Sequence, residues 1–309
     1  MPAIGLGILS AFAYAWTNVL MQLGLRDGHN TPMRGLVLNL VGGSVALLVA
    51  LPLVEATSPA AINVSGVVYF VAAGFAAALV GQALNFMSIE RIGATRAVSL
   101  LMGENLFAAT LAFFVLGQRI SLLTGAGIMV LLGSTVLFVR ETGGKYRATS
   151  TITSPPGPWW RSRFRAGVAL AIASALFFAI AGVFRQLGVE ALPSAVLGAA
   201  IGNVAALAVM LLVFAGAGRL RAPFAVHRKD AVLLLLSGVA AGVGTAAFIL
   251  ALQKGGSVAV TTALKNTQPI LTFGLAGLLL ARREKLTWRL GGLILVVVLG
   301  GVLAALGRG

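Results

Sequence analysis

The chain has 309 residues, of which 59% are hydrophobic and only 10% charged, with a mean hydropathy of +0.98. A soluble domain of this length needs far more charge to cover its surface, so lipid is the solvent for most of the chain. The net charge of +15 sits in loops between apolar runs without interleaved aromatics, which excludes nucleic acid as a partner, and the absence of cysteine excludes disulfide and thiolate chemistry.

The apolar runs are continuous and about 20 residues long, enough to cross a hydrocarbon core of roughly 30 Å as helices. A β-barrel needs short alternating segments, and helices satisfy their own backbone hydrogen bonds in lipid. The predicted fold class is therefore an all-α integral membrane protein of about ten transmembrane helices. In chain order the predicted spans are 4–25, 33–54, 63–89, 93–117, 122–140, 166–188, 193–215, 231–253, 256–281 and 288–307. No basic segment precedes the first run, which also carries Trp16, Asn18 and Gln22, so it reads as an uncleaved helix. The polar stretch 141–165 contains Ser154-Pro-Pro-Gly-Pro and reads as an irregular linker, closed by Trp159-Trp160 and Arg161, Arg163 and Arg165 as an interfacial anchor.

This linker divides the chain near its midpoint, and the two sides repeat each other. Ser10 to Gly24 aligns with Ser174 to Gly188, with seven of fifteen positions identical. Ala77, Ala78, Val80, Gly81 and Ala83 align with Ala240, Ala241, Val243, Gly244 and Ala246, and Pro32 and Pro193 open the second helix of each half. The expected units are 1–140 and 166–309, joined by the linker 141–165. Five spans per unit force the second to enter the membrane from the opposite side, giving two inverted five-helix repeats of the kind that suits alternating access. Gly198-x-x-x-Gly202 and Gly238-x-x-x-Gly242 are expected to let helices cross closely.

Charges within the spans stand out, because each costs about 2.5–3.5 kcal/mol near the bilayer centre. Glu104 lies near the middle of the fourth span and Lys265 in the first half of the ninth, where the local alignment sets it over Leu101, one turn from Glu104. Glu104 is the candidate site for a proton or a cationic substrate group, with Lys265 pairing with it or holding an anionic group; the bland alternative is a structural ion pair. Around them Asn18, Gln22, Gln82, Asn85, Asn105, Asn266 and Gln268 supply amides for a substrate or for interhelical hydrogen bonds. Asn266 and Gln268 flank Pro269, which removes a backbone donor and frees nearby carbonyls. Tyr14 and Trp16 are candidates to stack on a substrate. Arg185, Arg96 and Glu90 lie near span ends and are expected to snorkel to the interface.

Several of these segments carry a resemblance. Glu104-Asn105, the apolar run to Gly117, Gln118-Arg-Ile-Ser121 and then Gly125 and Gly133 are echoed by Gln268-Pro269, Glu284-Lys-Leu-Thr287 and Gly291-Gly292. The pattern resembles the EamA-like ten-helix family of the drug/metabolite transporter superfamily. Asn105 stands where that pattern has proline, and Arg282-Arg283 are inserted before the second turn. The resemblance implies secondary export or exchange of a small organic metabolite such as an amino acid, without a cofactor, from a bacterial inner membrane.

Eighteen of the 23 Lys and Arg residues fall in or beside loops after odd-numbered spans, which by the positive-inside rule places those loops in the cytoplasm. An intramembrane enzyme would need a nucleophilic or metal-binding cluster at depth, but His29, His227, Asp27 and Asp230 all lie in loops. No metal or phosphate-binding loop is expected either. A lipid flippase and a non-transporting scaffold are the competing readings, with membrane lipid a partner in each.

Overall fold

The computed structural model describes residues 2–25, 30–55, 63–116, 158–255, 258–265 and 267–279, with scattered positions between 126 and 137 and between 291 and 303. The predicted fifth and tenth spans, the linker up to 157, Asn266 and the Arg282-Arg283 insertion lie essentially outside the described residues. Every long element described is helical. They are α1 (Pro2–Gly24), α2 (Pro32–Glu55), α3 (Val64–Ala73), α4 (Gln82–Ile92), α5 (Ala94–Leu101) and α6 (Glu104–Leu116), then α7 (Pro158–Ala191), α8 (Ala195–Gly216), α9 (Arg228–Gln253), α10 (Val258–Lys265) and α11 (Gln268–Leu279). Seven apolar segments among the described residues are long enough to cross a membrane.

The distribution of side chains inverts that of a soluble protein. Phe114 and Leu278 expose 77% and 82% of their surface, as does much of the outward face of α2 and α8, while Asn18, Asn39, Asn85, Glu104 and Lys265 are buried. Such an apolar exterior is tolerable only against lipid. The chain is a multi-pass integral membrane protein.

Four spans differ from their predicted form. The helix expected to start at 166 begins at Pro158, so 158–165 is helical rather than irregular; proline in a first turn lacks only an N–H that would be unpaired there anyway. The third span is continuous from Val64 to Ile92, but its hydrogen bonding switches to a π-helical i→i+5 pattern over Gly74–Gly81. The fourth and ninth spans are each interrupted. At Met102-Gly103, Met102 and Gly103 donate to Ser99 and Leu100, and Asn105 and Leu106 donate to Met102 and Gly103. These i→i+3 bonds tighten the helix locally. Thr267 donates to Leu264, and just after it Ile270 to Thr267, in the same way.

Equivalent elements of the two halves have equivalent partners. α1 packs along α9, and its counterpart α7 packs along α3, the π-helical turn and α4. α2 crosses α9 as α8 crosses α3 and the π-helical turn, and α10 and α11 lie against α1 as α5 and α6 lie against α7. One pair of bonds displays the exchange most simply. Ser10 Oγ donates to the Gly244 carbonyl at 2.8 Å, and the aligned Ser174 Oγ donates to the aligned Gly81 carbonyl at 2.7 Å.

Glycines set the crossings. A Cβ at Gly238 would fall on the Asn39 carbonyl, one at Gly42 on that of Leu235, and one at Gly74 on that of Gly202. Gly198 admits the Phe70 ring and Gly242 faces Gly43, so both small-residue motifs lie in helix contacts. At Gly93, φ is +85°, a conformation that closes the turn between α4 and α5 and that other residues rarely adopt.

Candidate functional site

Glu104 and Lys265 meet at the two helix interruptions. Glu104 is the first residue of α6 and Lys265 the last of α10. A carboxylate is favoured at a helix N-terminus and an ammonium at a C-terminus, because the aligned peptide dipoles leave partial charges of opposite sign there. Lys265 Nζ donates to both carboxylate oxygens of Glu104, at 2.7 Å to Oε1 and 2.5 Å to Oε2, and the side chains are only 5% and 3% exposed.

Pro269 explains the break next to Lys265. It lies four residues on and has no N–H, so it cannot bond the Lys265 carbonyl. In the first half Asn105 occupies the corresponding place, and its N–H donates to Met102 rather than to Leu101. The proline-free sequence thus reaches the same local tightening by a different choice of acceptor.

The pair is enclosed by aromatic rings from both halves. Lys265 Nζ lies 5.8 Å from the Tyr14 ring centre, 5.4 Å from that of Phe178 and 5.6 Å from that of Phe248. Tyr14 and Phe178 are aligned positions on α1 and α7, so the ammonium sits between equivalent faces of the two halves. The Tyr14 hydroxyl and Thr245 Oγ1 share a hydrogen bond of 2.7 Å.

The remaining sequence candidates separate by environment. Asn85 Nδ2 donates to Asn18 Oδ1 at 2.7 Å, and Asn18 Nδ2 donates to the Tyr14 carbonyl, a buried polar thread that leads from α4 towards the aromatic enclosure. Asn85 Oδ1 is buried without a partner among the described residues. Asn105 and Gln268 are buried beside Glu104 and Pro269 in sequence, and Gln82 is buried at the end of the π-helical turn. Gln22 is committed to structure, its Oε1 accepting from the Ala94 N–H at the start of α5. Trp16 is half-buried and packs edge-on against Phe12, which is 45% exposed, so the structure does not bring it to Lys265. Asn266 lies outside the described residues.

Arg185 departs from expectation. It was expected to snorkel, yet it is 5% exposed and its guanidinium stands 5.4 Å from the centre of the Phe248 ring. A helical Cα–Cβ bond tilts towards the helix N-terminus, which for α7 points away from the nearby end at Ala191 and into the membrane. Arg96 and Arg91 do stay near their helix ends, donating to the Ile92 and Met87 carbonyls.

The sequence matches the model of the EamA-like transporter family over residues 1–140 and 165–306. The chain belongs to the EamA-like transporter family. This EamA-like chain also shares its fold with a solved structure titled "Crystal structure of protein", at a TM-score of 0.66 and 15% identity over 99% of this chain and 97% of that one. A comparison with curated proteins finds none that matches. Members of the family are membrane transporters of small molecules rather than enzymes, and among the described residues no His, Asp or Glu cluster could hold a metal ion.

Proposed function

We propose that the protein is a secondary transporter that exports or exchanges a small organic metabolite, such as an amino acid or a related compound, across a bacterial inner membrane. Two inverted five-helix halves alternate in conformation around a central site and expose it to one side at a time. The observation that carries this reading is the Glu104–Lys265 pair, buried at facing helix interruptions and enclosed by Tyr14 and Phe178 from the two halves.

A buried ion pair between helix breaks is a two-state element. Closed, each charge neutralises the other in a medium that solvates neither. A substrate bearing an ammonium or carboxylate group can replace one partner, and a proton on Glu104 would likewise release Lys265. Either event removes the bond that ties α6 to α10, which couples occupancy to helix movement. The helix ends are already suited to the exchange, since their unpaired backbone groups lie at the charges.

The test is flux of a pooled set of metabolites into proteoliposomes, with and without an imposed pH gradient, for wild type and Glu104→Gln side by side. Saturable, gradient-driven uptake that is lost in the variant is the expected result. Uptake that persists unchanged would reduce the pair to a packing role. Absence of flux for every solute, with lipid scrambling in its place, would favour the flippase.

A further inference from the structure

Among the described residues three charged side chains are buried: Glu104, Lys265 and Arg185. The first two neutralise each other, which leaves the Arg185 cation without a counter-charge. Its one recorded contact is with the face of Phe248, and no carboxylate or hydrogen-bond acceptor of the described residues reaches it. A ring face satisfies none of the five N–H donors of a guanidinium.

Arg185 also lines a space. A narrow cleft of about 20 Å³, room for about one water in this conformation, opens between α3, α7, α8 and α9, and Phe70, Gly74, Ala78, Gly202 and Thr245 join Arg185 in its walls. Gly74 and Ala78 belong to the π-helical turn. π-Helical turns recur at functional sites because the wider turn displaces the helix wall. Arg185 is six residues from the end of α7, roughly 9 Å at 1.5 Å per residue. The aligned position in the first half is Met21, fully buried in an apolar cluster, so the charge belongs to one half alone.

We propose that Arg185 is a binding site for the carboxylate of the transported solute, which makes the substrate a small organic acid or zwitterion. The guanidinium presents a planar fork that matches a carboxylate. Asn203, also in the cleft wall, uses both amide hydrogens on the Leu40 carbonyl and Ser44 Oγ, so it adds nothing to the anion site and offers only an acceptor to a donor elsewhere on the ligand. Thr245 shares its hydrogen bond with Tyr14, and Phe248 stands against both Arg185 and Lys265, so a single ring separates the guanidinium in the cleft from the central pair. A carboxylate held at Arg185 therefore lies one aromatic ring from the Glu104–Lys265 bond. Its use in transport rests on the function proposed above, whereas its binding does not.

The experiment is melting-temperature shift and equilibrium binding of the purified protein in detergent. The ligands are mono-, di-, amino and keto acids at millimolar concentration, each beside its uncharged amide or methyl ester. Stabilisation by one or more acids but not by their amides or esters is expected. Arg185→Gln should weaken that binding roughly 10- to 100-fold, and Arg185→Lys, which keeps the charge and loses the fork, by less. Binding equal for acid and ester, unchanged in both variants, or absent for every acid would overturn the site. Because Arg185→Gln can misfold, the acid-against-ester comparison on wild type stands on its own.

A lipid phosphate is the other source of an oxyanion. Arg185-dependent stabilisation by phosphatidylglycerol over phosphatidylcholine nanodiscs, with none by soluble acids, would overturn the substrate assignment. Flux in proteoliposomes separates the two proposals. Acid binding without flux sinks the transporter and leaves the site, and flux insensitive to Arg185→Gln does the reverse.

Discussion

Lys265 reaches both oxygens of Glu104 where neither side chain meets solvent. Removing one member of a buried pair strands the other, at a cost of about 3–5 kcal/mol, whereas replacing both by neutral groups of similar volume is often harmless. Glu104→Gln and Lys265→Met are each expected to lower the melting temperature in detergent, and the double variant to recover most of it. Transport should stay lost in all three; a double variant that carries substrate would show that the pair serves packing alone. The pair was legible in the sequence because charge is rare and costly within an apolar span, so two such residues in matching spans drew attention unaided. Arg185 was not. Its distance along the chain from the end of α7 looks like reach to the interface, while its neighbours Phe248 and the π-helical turn come from other helices. Gln22 was legible as a polar residue but not as the acceptor for the Ala94 N–H, which comes from a helix distant in sequence.

Among the elements, helix crossings rest on glycines whose missing Cβ is filled by a neighbouring carbonyl. Gly74→Ala and Gly238→Ala would each press a methyl group into backbone, and overpacking of that kind costs about 1–3 kcal/mol or more. Gly5→Ala meets nothing within 4 Å and serves as the control. Thermal unfolding of the three variants in one detergent checks the contrast, and equal melting temperatures would remove close backbone approach as the reason for these glycines. Pro269→Ala restores a donor for the Lys265 carbonyl, so slower hydrogen exchange across 265–273 is expected, together with reduced transport. The end of α10 at Lys265 could be anticipated from Pro269. The matching one at 102–103 could not, because no residue there is barred from a regular helix. Nothing in Gly74-Phe-Ala-Ala-Ala-Leu-Val-Gly81 distinguishes i→i+5 from i→i+4 bonding either, and the choice is made by packing against α7 and α8.

Across the whole molecule, length and hydropathy alone located each of the seven membrane-length spans to within a few residues except at the start of α7. The internal alignment also carried further than its short motifs promised. It paired Ser10 with Ser174 and Gly81 with Gly244, and the structure joins each serine to the glycine of the other half. Under the proposed alternation, halves tied in this reciprocal way would trade conformations without losing either bond. The chain has no cysteine, so single-cysteine labelling from either membrane face has no background. Ala78→Cys in the cleft and Ala241→Cys at the aligned position are expected to react from opposite faces, and a transported solute should raise one rate while lowering the other. Two rates that rise and fall together would contradict alternation.

The two interruptions beside the ion pair differ in permanence. Proline fixes the one at Lys265 in the covalent chain, and no rearrangement of hydrogen bonds can straighten it. The one at Glu104 depends on choices of acceptor one residue apart, as when the Asn105 N–H selects Met102 rather than Leu101. Lys265 is therefore a fixed post and Glu104 a latch mounted on a helix that can relax. In the proposed transport cycle this asymmetry makes the acidic side the one expected to move first.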